Sequence, residues 1–446
     1  MKYKASKYNV LIDNNDENYY LYNTYSGSLC KFNKKQYEEI INMAENKTPE
    51  AVDNFNDILS QGFVVDNRID EFNRVIQKQY IAAFDYQPIK LGFVIAPTLK
   101  CNFKCVYCFE SQSCKSDGFS AEKIETVLQF IIKKVESNPQ LKYLSVDWFG
   151  GEPMLKYNEI VDFSQKLIKY CESKNIIYSA CMLTNGFLLT KKKAQVLKEK
   201  CNLTSVQIPL DGMKETYCKF KQTTEKSFEK VIHNIIDISD ILNVQIRLNA
   251  NKQNYKSIKH LAKFLLIDCE LYKKIRLYLA ELKFFEGYTS MSKSVCFESV
   301  NFAKVKIDFL NYIKNELKLY DFKFMYNKPK VISCGLCKME NYVIGPECEL
   351  YRCEHHVGRS EEVVGDCVVG RFFSNSEMKF FIPKYKNECK KCNFYPSCFC
   401  GCRSNFQLNG IDKDFCEGIK YELINSLKQK IADIENKINS DYGKKR

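Results

Sequence analysis

Three cysteines fall within eight residues in Cys101-Asn102-Phe103-Lys104-Cys105-Val106-Tyr107-Cys108, spaced by three residues and then by two. Three thiolates can hold three corners of a [4Fe–4S] cube, whose ordinary complement is four. One iron is then left open to a small molecule that chelates through an amine and a carboxylate. A zinc knuckle would bring a second paired half, C-x2-C or H-x3-H, and none lies nearby. Cys114 is a possible fourth ligand by spacing alone. A second set follows far downstream: Cys334-x2-Cys337, then Cys353, then Cys389-x2-Cys392-x5-Cys398-x3-Cys402, then Cys416. These ligands suffice for two more [4Fe–4S] clusters. A pair of zinc sites or a disulfide knot are the other readings of the same residues.

The compartment decides how such residues are read. The chain carries 22 cysteines among 446 residues, far too long for a disulfide-stapled secreted scaffold. Its first residues, MKYKASKYNV, hold no apolar core of a signal peptide, so a cytoplasmic location is expected. In a reducing cytosol, clustered cysteines are more often metal ligands or catalytic thiols. Apolar residues make up 45% and charged residues 27%, a globular composition. No apolar run reaches the ~18 residues of a membrane span, so no membrane association is expected. Lys and Arg (67) exceed Asp and Glu (54), giving +13. That excess suits an acidic partner, but it is spread along the chain, so nucleic-acid binding is not expected.

The elements that must position the first cysteines follow from hydrophobic pattern. From residue 86 to 330, apolar strands alternate with helical stretches. Strands are expected at Leu91–Ala96, Tyr143–Trp148, Ile176–Leu183, Ser205–Leu210, Val244–Asn249 and Ile275–Leu279. Helices are expected at Ala121–Val135, Ile160–Tyr170, Lys191–Lys198, Phe228–Ile238 and Ile258–Leu266. Six such units of buried strand and helix predict an α/β protein with a parallel sheet, a partial (β/α)6 barrel. Chemistry in such barrels sits at the carboxyl ends of strands, where Cys101 to Cys108 fall.

Residues 1–85 hold a single cysteine, Cys30, and read as a small winged α/β module. Strands are expected around Tyr8–Ile12, Tyr19–Tyr22, Leu29–Phe32 and Phe63–Val65, with a hairpin turn over Asp13–Asp16. Helical spacing covers Lys34–Ala44 and Val52–Leu59. Residues 331–422 lose periodicity as cysteine density rises, so metal ligands must staple this domain. Residues 423–446 form a charged helix and tail, within helical spacing from Gly418 to Ile438 and fraying from Asp441.

The Cys101–Cys108 run resembles the signature of the radical S-adenosylmethionine (SAM) superfamily, C-x3-C-x-aromatic-C after the first strand, with Tyr107 in the aromatic place. Other matches lie at successive strand ends. They are Trp148-Phe149-Gly150-Gly151-Glu152-Pro153, Thr184-Asn185-Gly186, Leu210-Asp211-Gly212, Arg247-Leu248-Asn249 and Tyr278-Leu279-Ala280. The resemblance implies that Cys101, Cys105 and Cys108 hold the catalytic cluster. It implies that Tyr107, Gly150, Gly151, Glu152, Asn185 and Arg247 surround SAM, the glycines letting the backbone approach the methionine amine. Lys221 stands where relatives place an Arg for the SAM carboxylate, so that partner is Lys221, Arg247 or both. The implied mechanism is one-electron cleavage of SAM to a 5′-deoxyadenosyl radical that abstracts a substrate hydrogen, in a site closed against solvent.

The downstream cysteines look like the SPASM extension of peptide-modifying radical SAM enzymes. By that resemblance Cys334, Cys337, Cys353 and Cys402 hold a nearer auxiliary [4Fe–4S] cluster, and Cys389, Cys392, Cys398 and Cys416 a farther one. With the catalytic cluster this makes three. Cys348 occupies a position where the family has Gly, and Cys348, Cys367 and Cys400 are spare thiols. Glu354-His355-His356 could supply an acid or base, or only support Cys353. Glu281 could face the barrel mouth. The N-terminal module is similar in layout to leader-binding modules of peptide maturases, which would add a precursor peptide as a strand to the edge at Leu29–Phe32 or Tyr19–Tyr22. The implied activity is modification of a small ribosomal precursor peptide, foremost an intramolecular thioether from a Cys, with a flavodoxin or ferredoxin as reductant. Formylglycine formation of the sulfatase-maturase type, carbon–carbon crosslinking and epimerisation are alternatives. A zinc-rich binding protein is the alternative outside enzymes.

Overall fold

A computed structural model describes residues 2–14, 17–43, 53–110, 117–284, 291–322, 328–373, 375–403 and 413–443. Cys114, Ala44, Val52, residues 15–16 of the expected hairpin turn and residues 444–446 of the tail lie outside the described residues. The chain divides into two units. One comprises residues 1–84, 298–338 and 380–446; the other comprises residues 85–297 and 339–379. The four segments read from the sequence are thus distributed over two units.

The first unit opens with β1 (Tyr3–Ala5), β2 (Asn9–Asn14), β3 (Asn18–Asn23), β4 (Leu29–Asn33), α1 (Lys34–Ile41), α2 (Phe55–Ser60), β5 (Val64–Asp66) and α3 (Glu71–Ala83). Strands β2, β3 and β4 form an antiparallel sheet in that order, while β1 pairs with β5. In β2, Val10 and Ile12 point inward and their neighbours outward, the period-two pattern of a strand with one buried face. Asn33 and Gln36 satisfy each other's backbone at the start of α1, a capping box. Helix α3 escapes the sequence reading because Glu71 and Gln79 are buried among its apolar residues. One expectation is corrected. Strand β3 is central, pairing Tyr22 with Val10 on one side and Leu29 on the other, so Tyr19–Tyr22 is not an edge. Among the described residues, β4 pairs with β3 alone.

The C-terminal helix, Lys413–Gly443, completes this unit. It starts before the expected Gly418 and continues through Asp441. Its Leu423, Leu427 and Ile431 pack with Val10, Ile12 and Tyr22 of the N-terminal sheet. Glu422 receives Lys306 of helix Ser299–Asn311 at 2.9 Å, and the Asp414 carboxylate accepts from the Ser299 amide at 2.6 Å.

In the second unit, β6 (Lys90–Ile95), β7 (Tyr143–Trp148), β8 (Ile177–Leu183), β9 (Leu203–Leu210), β10 (Asn243–Ala250) and β11 (Ile275–Glu281) are parallel and adjacent in chain order. Helices α4 (Ala121–Glu136), α5 (Tyr157–Ser173), α6 (Lys191–Cys201), α7 (Lys214–Lys221), α8 (Glu225–Ile238) and α9 (Tyr255–Lys263) connect them. Ser120 caps α4 by accepting from the Lys123 amide. This is the mixed α/β fold with a central parallel sheet that the pattern predicts. Strands β12 (Tyr342–Ile344), β13 (Glu349–Tyr351), β14 (Gly365–Asp366) and β15 (Gly370–Arg371) extend it beyond β6, β12 pairing in parallel with Phe93–Ile95. Three-residue strands are too short to show as periodicity. The barrel strands also differ from the continuous apolar runs expected. Val146, Trp148, Ala180, Met182, Val206, Ile208, Ile246 and Leu248 are buried on one face. The alternating Ser145, Asp147, Ser179, Cys181, Ser205, Gln207, Gln245 and Arg247 are half-buried on the other.

Candidate active site

The loop after β6 carries Cys101, exposed, with Cys105 and Cys108, both half-buried. Its path is set by backbone contacts on two sides. On one side, the Gly151 amide donates to the Thr98 carbonyl at 3.0 Å and the Glu152 amide to the Lys100 carbonyl at 3.0 Å. A Cβ on Gly150 would collide with the Thr98 carbonyl oxygen, and one on Gly151 with those of Leu99 and Lys100. Gly150 also holds a φ of 108°, open to glycine but strained for other residues. The close approach that demands these glycines is therefore the cysteine loop itself. On the other side, the Lys104 and Val106 amides donate to the Lys221 and Phe220 carbonyls, at 3.2 and 2.9 Å.

Glu152 is fully buried. Its Oε1 accepts from Thr184 Oγ1 at 2.7 Å and from the Met154 amide at 3.0 Å; its Oε2 accepts from the Asn185 amide at 2.8 Å. Burial pushes this carboxyl up, and these donors pull the other way. The carboxylate thus fixes the turn after β8. From that turn Asn185 Nδ2 donates to Asn102 Oδ1 at 2.8 Å and reaches Cys101 Sγ at 3.8 Å.

Tyr107 does more than supply an aromatic ring. Its hydroxyl donates to Asp211 (2.8 Å to Oδ2) and accepts from Lys221 Nζ at 2.6 Å, with Asn249 Nδ2 at 3.3 Å. Lys221 and Asp211 are both buried and lie 3.3 Å apart. Asn254 Nδ2 donates to the backbone carbonyls of Asp211 and Asn249, tying β9 to β10. Burial, the largest single influence, would lower the Lys221 ammonium; Asp211 foremost, with Cys105, Tyr107 and Tyr217, together outweigh it and hold it well above its usual value. Lys221 is therefore already paired inside a lock on the cysteine loop. Arg247, half-buried on the polar face, donates through Nε to Asn249 Oδ1 at 2.9 Å. Sequence reasoning quoted the Asp-Gly turn and Asn249 as motifs but assigned them no role. Their signal was position at consecutive strand ends.

The donors suit a cluster. The described cysteines are free thiols, and Cys101, Cys105 and Cys108 lie within electrostatic reach of one another. Among the described residues, no three His, Cys, Asp or Glu groups converge as ligands of one metal ion. In a cubane each thiolate binds its own iron, so the sulfurs stand farther apart. Burial pushes the Cys105 and Cys108 thiols up, the latter to about 12. Iron bound by these residues would supply the charge that makes them thiolates.

The downstream cysteines separate by unit. In the first unit, Cys334 lies against Cys337 and within electrostatic reach of Cys402. Cys389, Cys392, Cys398 and Cys416 gather there too, joined by Cys400, whose sulfur is 3.8 Å from that of Cys389. Tyr8, Phe72 and Val75 of the N-terminal module pack with Tyr395, Phe399 and Cys400, and against Cys389, Cys392 and Cys416. Cys353 belongs to the second unit, half-buried after β13. Cys348 and Cys367, also there, are buried and joined by a backbone bond of 2.8 Å from the Cys367 amide to the Cys348 carbonyl. Cys348 has a φ of 66°, a left-handed conformation that would suit the glycine which the SPASM resemblance places there. His356 is buried 3.2 Å from Glu362, whereas the His355 ring packs on Phe109, 4.7 Å between centroids. Glu281 ends β11, half-buried, 3.9 Å from Lys283.

Comparison with known proteins agrees with this geometry. Residues 95–265 match the Radical SAM superfamily. A cysteine-type anaerobic sulfatase-maturating enzyme of Clostridium novyi is 27% identical over 369 residues, 74% of this chain and 93% of that one. Among solved structures, anSMEcpe with bound AdoMet superposes with a TM-score of 0.58 at 21% identity, over 78% of this chain and all of the other. Streptococcus suis SuiB bound to precursor peptide SuiA superposes with a TM-score of 0.53 at 16% identity, over 92% of this chain and 99% of the other. No helix among the described residues is long and apolar enough to cross a membrane. The cysteine loop, the double-glycine turn and the Asp211–Lys221 lock all fall inside the matched span, and this part of the chain is similar to the Radical SAM superfamily, a class that works with SAM and a [4Fe–4S] cluster.

Proposed function

We propose that this enzyme modifies a ribosomally made precursor peptide, joining a Cys sulfur of that peptide to one of its own carbons as a thioether. The observation that carries the reading is the N-terminal winged module, packed on the outer cysteine group, with β4, which among the described residues pairs with β3 alone, as a strand template. The SuiB complex with a precursor peptide aligns over 92% of the chain, against 78% for anSMEcpe, in keeping with that extra module. Cys101, Cys105 and Cys108 would hold the catalytic cluster, which with SAM supplies a 5′-deoxyadenosyl radical. Arg247, on the polar face, is the proposed partner of the SAM carboxylate, since Lys221 is engaged by Asp211. Asn185 and Glu152 hold the rim beside Cys101, and Asp147, Cys181 and Gln207 offer polar contacts to a peptide segment entering the barrel.

The reaction balances as loss of two hydrogens per link. One leaves the peptide carbon as an atom, the thiol loses a proton, and one electron passes on as the C–S bond forms. Cys334, Cys337, Cys353 and Cys402 would hold the nearer cluster that accepts it, and Cys389, Cys392, Cys398 and Cys416 the farther one. About twelve irons per chain are then expected, four per cluster. A flavodoxin or ferredoxin would supply the reducing electron. Precursor produced together with the enzyme should lose a pair of hydrogens for each link, read by mass spectrometry. Unchanged mass with SAM cleaved would exclude this product.

The 27%-identical maturase relative favours a second reading, oxidation of one Cys to formylglycine. That product loses the Cys sulfur, so the same spectrum separates the two.

A further inference from the structure

Cys101 is the exposed thiol of the cysteine loop, and lysines surround it from the loop, α6 and α8. Lys104 is exposed within the loop itself. Asn185, whose Nδ2 reaches Cys101 Sγ at 3.8 Å and Asn102 Oδ1 at 2.8 Å, leads through Gly186 and Phe187 towards α6. That helix opens on Lys191, Lys192 and Lys193, the first two exposed. Helix α8 joins the same turn. Its Asn234 Nδ2 donates to the Gly186 carbonyl at 2.8 Å, and its exposed Lys230 holds Nζ 4.0 Å from the centroid of the Phe187 ring. The Phe187 ring in turn lies 5.7 Å from that of Phe103 in the cysteine loop. A Cβ on Gly186 would meet Ile208 and Val231. Ile208 is on the apolar face of the sheet, so these lysines belong to the helical side of the fold and not to the polar face.

Helix stability does not account for them. The first turn of a helix favours carboxylates and disfavours ammonium groups, because its exposed amides carry partial positive charge. Helix α6 begins with lysines and has no acidic residue in its first turn. Ion pairing does not account for them either. Among the described residues no carboxylate pairs with Lys104, Lys191, Lys192, Lys193 or Lys230. Acids of the same region are engaged elsewhere: Glu229 by Lys214 at 2.7 Å, Asp117 by Lys100, and Glu152 in its buried turn. Unpaired ammonium groups gathered beside one exposed thiol attract an acidic partner and steer it to that point.

We propose that this lysine rim is the docking surface for an acidic one-electron donor protein of the flavodoxin or ferredoxin kind, which delivers its electron to the cluster held by Cys101, Cys105 and Cys108. The inference rests on the radical reading above and deepens it. One electron leaves the reduced flavin or iron–sulfur centre of the donor, and one enters the cluster. Interfaces between redox partners are small and transient, and charge guides them more than apolar area. The peptide reading uses other surfaces, β4 and the polar face of the sheet, and leaves this rim unassigned.

The test uses the full chain, reconstituted anaerobically, with 5′-deoxyadenosine release followed under two reductants. One is a reduced flavodoxin of strongly negative net charge. The other is photoreduced deazaflavin, a small molecule that needs no docking. Lys191→Glu, Lys192→Glu and Lys230→Glu are combined in one variant. Lys198→Glu with Lys200→Glu, exposed at the other end of α6, is the control. With limiting flavodoxin at low salt, the combined variant should fall about tenfold below the wild type. Added salt should slow the wild type and leave the combined variant little changed. Under deazaflavin both variants should match the wild type, with the same iron content. An unchanged flavodoxin rate in the combined variant overturns the proposal. So does an equal fall in the control, since net charge is then the cause, and so does loss under deazaflavin, since the site itself is then damaged. A wild type active with deazaflavin but not with flavodoxin rejects the partner class. A wild type inactive with both removes the SAM-cleavage reading beneath it.

Discussion

The catalytic loop and the outer cysteine group are both short runs of thiols, yet different forces hold them. Around Cys101, Cys105 and Cys108 the supports are polar and buried: two glycines against backbone carbonyls, Glu152 with three donors, and Tyr107 between Lys221 and Asp211. All but Lys221, which ends helix α7, follow the ends of parallel strands. Around Cys389, Cys392 and Cys416 the supports are mainly aromatic: Tyr8, Phe72, Tyr395 and Phe399. These come from segments more than 300 residues apart. A few direct bonds add to them, such as Lys7 Nζ to the Lys390 carbonyl at 3.1 Å. On the proposed function, the first site would present an open iron to a small cofactor, which needs the fixed geometry that hydrogen bonds impose. The second would enclose a cluster and can rely on apolar area.

The largest effect should come from replacing Cys101, Cys105 and Cys108 together by Ala. Release of 5′-deoxyadenosine should stop, and iron should fall by about four per chain with the outer cysteines still loaded. Loss of all iron would mean that the two regions do not load independently. Next come two substitutions of similar size and opposite address. Lys221→Met strands a buried Asp211 and should cost about 3–5 kcal/mol, seen as a lower Tm and weaker loading of the catalytic cluster. Adding Asp211→Leu should recover part of that loss. Phe72→Ala should cost about 3–5 kcal/mol and strip iron from the outer group, sparing the catalytic cluster. Equal loss from both clusters in either variant would erase the contrast.

Smaller effects sharpen it further. Gly151→Ala should displace the Leu99–Lys100 backbone, with strain of roughly 1–3 kcal/mol, and weaken SAM binding measured by calorimetry. Thr184→Ala removes one of three donors to buried Glu152 and should cost about 1 kcal/mol in thermal unfolding. A Thr184→Ala effect as large as that of Lys221→Met would show that the glutamate, not the lysine lock, carries the loop.

Much of the polar site was legible because its residues follow strands whose order is written in the chain. Cys101, Gly150, Asn185 and Asp211 each follow a strand that hydrophobic pattern alone locates, and Arg247 lies within one. The chemistry of Lys221 was not. As a cation in roughly the right place it invited a role at the SAM carboxylate, and only its burial beside Asp211 reveals a partner already in hand. The hydroxyl of Tyr107 was hidden for the same reason, since spacing records a ring and not its hydrogen bonds. Cys348 shows the reverse. Its occupation of a glycine position was visible at once, and its φ of 66° supplies the cause.

Composition and spacing were enough for the α/β class and the six parallel strands, because these depend on local periodicity. Two features depended on contacts between distant segments. They are the pairing of β12 with β6 and the packing of the N-terminal module and C-terminal helix around the outer cysteines. Burial and pairing over hundreds of residues leave no periodic trace in the chain, so those features were decided only when it folded.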